Sequence, residues 1–228
     1  MEIISRGTNP KYPPHLIQIS ESEAFNQLSH SNALFIRWTS DWDCGYPTEW
    51  WYCIKDNGIG LDKLTSKQRY RVKKGINNSI ITRCSNINYE LCEEICDCAI
   101  KAFSDYPSIY RPKIDRKAFV NGMLSSKGDL WICRSRDDGV LCGYSICYVK
   151  NDYVELSQVK TIPTYQKFEI NAALAFSICD YYLNTCKLNY VCDGSRNISH
   201  ETEYQNFLVR VLGFRFSYCK LQLYIVGR

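Results

Sequence analysis

The sequence predicts an α/β (α+β) protein: a mixed, mostly antiparallel central sheet with helices on both faces. Three observations predict it. Apolar and aromatic runs with strand character alternate with stretches of helical period, in the order βαβ(α)α-β-β-β-α-β-α-β. Asp137-Asp138-Gly139 and Asn151-Asp152 are hairpin turn signals that separate three consecutive strands. The chain then closes on a strand, a polar loop, a capped helix, a Gly-Phe step and a final strand, all between Val191 and Ile225.

Composition narrows the class further. A chain of 228 residues, 45% hydrophobic and 14% aromatic with 17 tyrosines, has the apolar surface for a full core and is not disordered. A net charge of +4 and a pI near 8.3 fall short of a dedicated nucleic-acid binder. No apolar run reaches the roughly 18 residues of a membrane span, and MEIISRGTNPKYPP lacks the apolar core of a signal peptide, so the expected location is cytoplasmic. Thirteen cysteines scattered through apolar segments read as buried free thiols, and with three histidines, none near the Cys92, Cys96, Cys98 cluster, no metal site is expected.

In chain order, residues 1–14 read as a proline-bearing lead-in and His15 to Ser20 as a first strand. Ala33 to Thr39 and Glu49 to Lys55 are expected to pair as an aromatic-rich hairpin, packed as core or open as a ligand platform. Leu61 to Ile76 reads as a basic helix: Lys63, Lys67, Arg69, Arg71, Lys73 and Lys74 form either a solvated face or an anion-binding surface. A strand (Ser79 to Cys84), a helix (Tyr89 to Phe103) and a helix capped by Asp115 and running to Leu124 follow. Strands at 130–135, 143–150 and 153–162 lead to the strongest helical pattern, Phe168 to Asn184. Next comes the closing unit: an apolar run at 190–192, a turn at Asp193-Gly194, a loop bearing Arg196, His200 and Glu201, and a capping box Thr202 to Gln205. Its helix ends at Gly213, and a strand runs from Phe214 to Ile225. The expected organisation is a β extension over 1–60 packed on a core over 61–228, or one continuous domain over 1–228.

Three stretches carry a resemblance. SQVKTIPTYQKFEINAAL (Ser157 to Leu174), FLVRVLGFR (Phe207 to Arg215) and the Arg69-Tyr70-Arg71-Val72-Lys73-Lys74-Gly75 segment resemble the GNAT superfamily of N-acyltransferases, the last being similar to the Fem-type aminoacyltransferases. The resemblance covers roughly 61–225. It implies transfer of an acyl or aminoacyl group from a thioester or ester to an amine, with a cell-envelope precursor as one candidate acceptor. It also implies that backbone at Val159, Lys160 and Thr161 holds the donor carbonyl, and that a turn over Gln166, Lys167 and Asn171 meets the donor's phosphates at a helix N-terminus. Both glycines of that turn are replaced here, and Glu169 brings a negative charge to it. Val209 stands where many relatives carry an acidic tyrosine. The implied donors are acyl-CoA and aminoacyl-tRNA, and the basic segment suits the latter.

Amine acylation needs a base for the nucleophile and a proton for the leaving group. His200, whose side-chain type ordinarily titrates at about pH 6.5, is a candidate base, as are Asp193 and Glu155 through a water. Tyr218 is a candidate acid. Arg69, Lys73, Arg196 and Arg215 are candidates for an anionic donor or acceptor group. Two competing readings are a non-catalytic GNAT-like ligand-binding module and a nucleic-acid binder that uses the 63–74 helix.

Overall fold

Local sequence chemistry sets most element boundaries. In the computed structural model of the protein, residues 7–8, 20–30, 34–196 and 203–225 are described. They form, in order, β1 (Gly7–Thr8), α1 (Glu21–Ser29), β2 (Phe35–Ser40), β3 (Trp50–Lys55), α2 (Ser66–Asn78), β4 (Ser79–Cys84), α3 (Tyr89–Ala102) and α4 (Arg116–Leu124). Then come β5 (Asp129–Ser135), β6 (Leu141–Val149), β7 (Tyr153–Thr161), α5 (Pro163–Gln166), α6 (Ile170–Cys179), β8 (Tyr190–Ser195), α7 (Glu203–Leu212) and β9 (Arg215–Ile225). Capping places the helix starts. Thr65 and Gln68 form a reciprocal box at α2, Asn88 accepts from Leu91 N at 3.0 Å for α3, and Asp115 accepts from Ala118 N at 2.8 Å for α4. Gly213, at φ +67°, stops α7 with the left-handed residue such an end requires.

The chain divides into two compact units. One comprises Met1–Cys53, Ser195–Glu201 and Phe216–Arg228, the other Ile54–Gly194 and Thr202–Arg215. In the first, the strand order is β1-β2-β9-β3, with β1 parallel and β9 antiparallel to β2. The expected hairpin between β2 and β3 is therefore not formed: β9 lies between them, pairing Phe35 with Ile225 and Ser40 with Lys220. A pairing across some 180 residues leaves no local signal, whereas adjacent aromatic runs imitate a hairpin. Ala24, Leu28, Ile36 and Trp38 form a small core under α1. That helix is unexpected from the sequence, although Ser20 and Glu23 form a capping box for it. Most of the His15–Ser20 strand expectation lies outside the described residues, and Ser20 is the α1 cap.

In the second unit the order is β8-β7-β6-β5-β4, antiparallel throughout except for β7 with β8. The residues of β5 alternate between two cores, because successive side chains leave a strand on opposite faces. Leu130 and Ile132, with Tyr144 and Ile146 of β6, pack with Ile95, Ala99, Val120 and Met123 of α3 and α4. Trp131, between them, meets Tyr182 just beyond α6, its indole N–H donating to the phenol oxygen at 3.4 Å. Helices thus cover both faces, as expected. α6 is buried almost all round and gives way at residues 180–185 to a wide π turn, which replaces the longer regular helix expected to Asn184.

β7 carries an extra residue. Ile146 pairs with Gln158 but Cys147 pairs with Leu156, so Ser157 bulges out. Such a bulge bends and twists its strand. Ten of the thirteen cysteines are buried. Among the described residues, no helix is long and apolar enough to cross a membrane.

Candidate active site

The parallel ladder between β7 and β8 is short. Tyr153 pairs with Tyr190, Val154 with Val191 and Glu155 with Cys192, and there it stops. β7 nevertheless continues to Thr161 and β8 to Ser195. The Ser157 bulge begins two residues past the last pair, and a bent strand cannot keep its neighbour's spacing. Beyond Glu155 and Cys192 the two strands are no longer paired, and Val159, Lys160 and Thr161 lie on the part of β7 past that ladder.

Asp193 is the first residue of β8 beyond the ladder. The Asp-Gly pair was expected to be a turn. Instead it continues the strand, with Gly194 at φ +87° absorbing the irregularity. Part of Asp193 reaches solvent, but its carboxyl group is enclosed, and burial raises its pKa to about 8 against a hydrogen bond from Gln205 and the charge of Lys160. Gln205 is buried, and its Nε2 also donates to Gly194 O at 3.4 Å. Its expected partner in a capping box, Thr202, lies outside the described residues, and the amide turns to β8. Lys160 holds its ammonium 4.6 Å from the centre of the Phe103 ring; burial lowers its pKa, and Asp193 opposes that shift. Glu155, half-buried, closes the ladder beside Cys192. His200 and Glu201 lie outside the described residues.

The other expected donor-side residues surround the start of α6. Gln166, ending α5, donates weakly from Nε2 to Thr161 Oγ1 at 3.4 Å, and the Lys167 ammonium lies 5.0 Å from the Phe168 ring centre. Asn171 has a buried Oδ1 that accepts no hydrogen bond among the described residues. Glu169 precedes the helix in the left-handed conformation, φ +62°, and its carboxylate accepts from Arg71 Nε at 2.9 Å, with Arg71 Nη2 at 2.8 Å. Arg71 also stacks 5.2 Å from the Phe207 ring centre. The backbone approach is equally close: a Cβ on Gly75 would lie 2.3 Å from Glu169 O and 2.7 Å from Ala173 Cβ. In the Fem-like segment, then, the glycine lets α2 touch α6, and one of the six cations is consumed by an internal acid. Arg69 turns its Nη2 to Leu64 O at 3.0 Å, while Lys73 is exposed. Arg215 binds Asp56 Oδ2 through Nε at 2.9 Å and Nη2 at 2.6 Å.

In the first unit, the Arg196 guanidinium lies 5.0 Å from the Trp51 ring centre and donates to Glu49 O. Tyr218 packs edge-on to Trp51 at 6.2 Å. Sequence reasoning missed Arg71 and Gln205 as members of these arrangements. For Arg71, the i, i+4 spacing to Gly75 put both on one helix face, but nothing local named Glu169.

A mixed sheet clad on both faces, with a central strand that bulges just past its parallel pairing, is a GNAT-like fold. The chain is similar to FemX, at TM-score 0.63 and 8% identity over 90% of this chain and 75% of that one. It is likewise similar to the C-terminal domain of a protein from Agrobacterium fabrum named as a lysylphosphatidylglycerol synthetase, at 0.57 and 8% over 88% and 70%. For L-PGS from Bacillus licheniformis the values are 0.52 and 11% over 81% and 67%. No protein-family profile and no curated protein sequence matches the chain.

Proposed function

We propose that this protein is an N-acyltransferase that moves an acyl or aminoacyl group from an ester or thioester donor to an amine acceptor where β7 and β8 cease to pair. The observation that carries the reading is the end of the ladder at Glu155 and Cys192, with the enclosed carboxyl group of Asp193 one residue beyond it. An acceptor amine reaches the enzyme as an ammonium ion and must lose a proton. A carboxylate whose pKa stands near 8 is a far better base at neutral pH than an ordinary aspartate. Backbone of Val159 to Thr161, on the part of β7 past the ladder, is free of β8 pairing and suited to hold the donor carbonyl. Glu155 supports the base through a water, and His200 remains a second candidate base. Gln205 orients Asp193.

The donor side favours aminoacyl-tRNA over acyl-CoA. Glu169, fastened by Arg71, occupies with its negative charge the turn where the resemblance would seat a pyrophosphate. Exposed cations of α2, Lys73 among them, suit a polyanionic donor in the cytoplasm. Likeness to FemX and to a protein named as a lysylphosphatidylglycerol synthetase supports an acceptor from the cell envelope. The test is a transfer assay with labelled aminoacyl-tRNA, acetyl-CoA and a panel of amine acceptors. Turnover with a donor, lowered about a hundredfold or more in Asp193→Asn, supports the reading. Binding of a donor without turnover establishes the alternative, a non-catalytic ligand-binding module, which the glycine-free turn favours.

A further inference from the structure

The loop that joins α3 to α4 carries an apolar tip on a basic base. Ile109 is 81% exposed, the most open of the large hydrophobic side chains among the described residues, and Tyr106 is 47% exposed. Their positions are fixed by the loop itself. Ser108–Tyr110 forms a single 3-10 turn, and Arg111 folds back to donate from Nε to Tyr106 O at 2.6 Å and from Nη2 to Ser104 O. The Tyr106 ring packs 5.1 Å from that of Phe103 at the end of α3. The loop's own bonds therefore hold Ile109 out in water, where its apolar surface is unfavourable. Around the tip the charge is one-sided. Lys101 in the last turn of α3, Lys113 in the loop and Lys117 in the first turn of α4 are exposed and, among the described residues, paired with no carboxylate. Arg116 is matched by Glu93 and Asp97 of α3. Of the two acids between residues 101 and 117, Asp115 is turned to Ala118 N as the α4 cap and Asp105 accepts from Ser104 Oγ.

We infer that this loop docks the protein on an anionic lipid surface: Ile109 and Tyr106 enter the boundary between headgroups and acyl chains, while Lys101, Lys113 and Lys117 meet the lipid phosphates. Three features choose a bilayer over a protein partner. The core of a protein interface is broad and poor in lysine, whereas here two apolar side chains stand among three unpaired lysines. A tyrosine beside an aliphatic tip suits the boundary, because its ring favours the apolar side and its hydroxyl the wet one. The lysines set compact charges on long apolar stems, which reach headgroups without drawing the charge out of water. One isoleucine buries too little surface to hold the protein by itself, so attachment needs the charges and is reversible and weakened by salt. The surface adjoins the candidate site: the Phe103 ring that meets Tyr106 is the ring beneath the Lys160 ammonium of β7. Docking by this loop brings that part of β7 towards the bilayer. The inference stands without the acyl-transfer reading.

The test is sedimentation of the full-length protein with vesicles of phosphatidylcholine alone and of phosphatidylcholine with an equal part of phosphatidic acid, at low and at physiological salt. The bound fraction should be severalfold higher on the mixed vesicles and should fall as salt rises. Ile109→Asp should lower it severalfold, and so should Lys113→Glu with Lys117→Glu. All three side chains are exposed, so these proteins should keep the urea midpoint of the unaltered one, which separates lost docking from lost fold. Lys67→Glu with Lys73→Glu strips exposed cations from α2, the other basic surface, and should change binding least. Absence of binding to the mixed vesicles overturns the inference, as does equal binding to both kinds. Binding that survives Ile109→Asp and disappears in the α2 variant overturns it too, since the charge of α2 then does the holding. The vesicles contain neither an acyl donor nor an acylatable amine, so failure here is distinct from failure of the transfer assay.

Discussion

Two acidic side chains in the same unit, Glu169 and Asp193, have opposite fates. Glu169 stands before α6 in a strained left-handed conformation, yet its charge is matched by two nitrogens of Arg71. Asp193 has ordinary strand surroundings but no guanidinium, and burial drives its carboxyl pKa to about 8. A carboxylate with a fitted partner serves structure and its chemistry is spent. One that is desolvated and weakly supported keeps a mobile proton. The contrast separates an ion-paired turn before α6 from an enclosed carboxyl group without a guanidinium partner just past the β7–β8 ladder.

The harshest way to break this contrast is at Gly75. A methyl group there collides with Glu169 O, so Gly75→Ala should cost about 3 kcal/mol in urea denaturation and loosen the Arg71 pair with it. The next effect concerns Asp193. Its folded pKa is raised above the unfolded value of about 3.9, so its stabilising contribution is complete below about pH 4 and is lost as pH rises towards 8. Unfolding free energies across that range should fall in the wild type by about 2 kcal/mol or more relative to Asp193→Asn, which lacks the titration. A parallel pH dependence in both proteins would refute the enclosed carboxyl group. The smallest effect sharpens the Glu169 side. Glu169→Gln should cost about 1 kcal/mol, and Glu169→Gly less, because glycine adopts φ +62° without strain while losing the same ion pair. A double-mutant cycle with Arg71→Ala measures the coupling directly.

Much of the second unit was legible. Asp115 capped α4 where expected, and the Asp-Asp-Gly and Asn-Asp signals separated β5, β6 and β7, because such turns act through a few neighbouring residues. What failed was either non-local or locally ambiguous. The β2–β9 pairing depends on residues at opposite ends of the chain. Asp193-Gly194 has the chemistry of a turn, and only the strand it extends decides otherwise. Gln205 has the spacing of a cap, but the amide faces β8. Of the candidate site, Asp193 was singled out as a possible base near a strand end and the 159–161 stretch by resemblance, whereas the partners Gln205 for Asp193 and Arg71 for Glu169 come from other elements and leave no mark at the sites themselves.

The single extra residue in β7 reaches further than its size suggests. A strand counts in twos, so Ser157 acts as a parity bit: were it drawn into the ladder instead of bulging out, Val159, Lys160 and Thr161 would each take the face opposite the one they now occupy, whereas deleting it would leave their register unchanged. With Ser157 paired, Lys160 would leave the α3 side and Phe103 for the α6 side with no change of sequence at all. Whether this strand presents an amine or a hydroxyl to its α3 face is thus decided by the bulge rather than by side-chain identity.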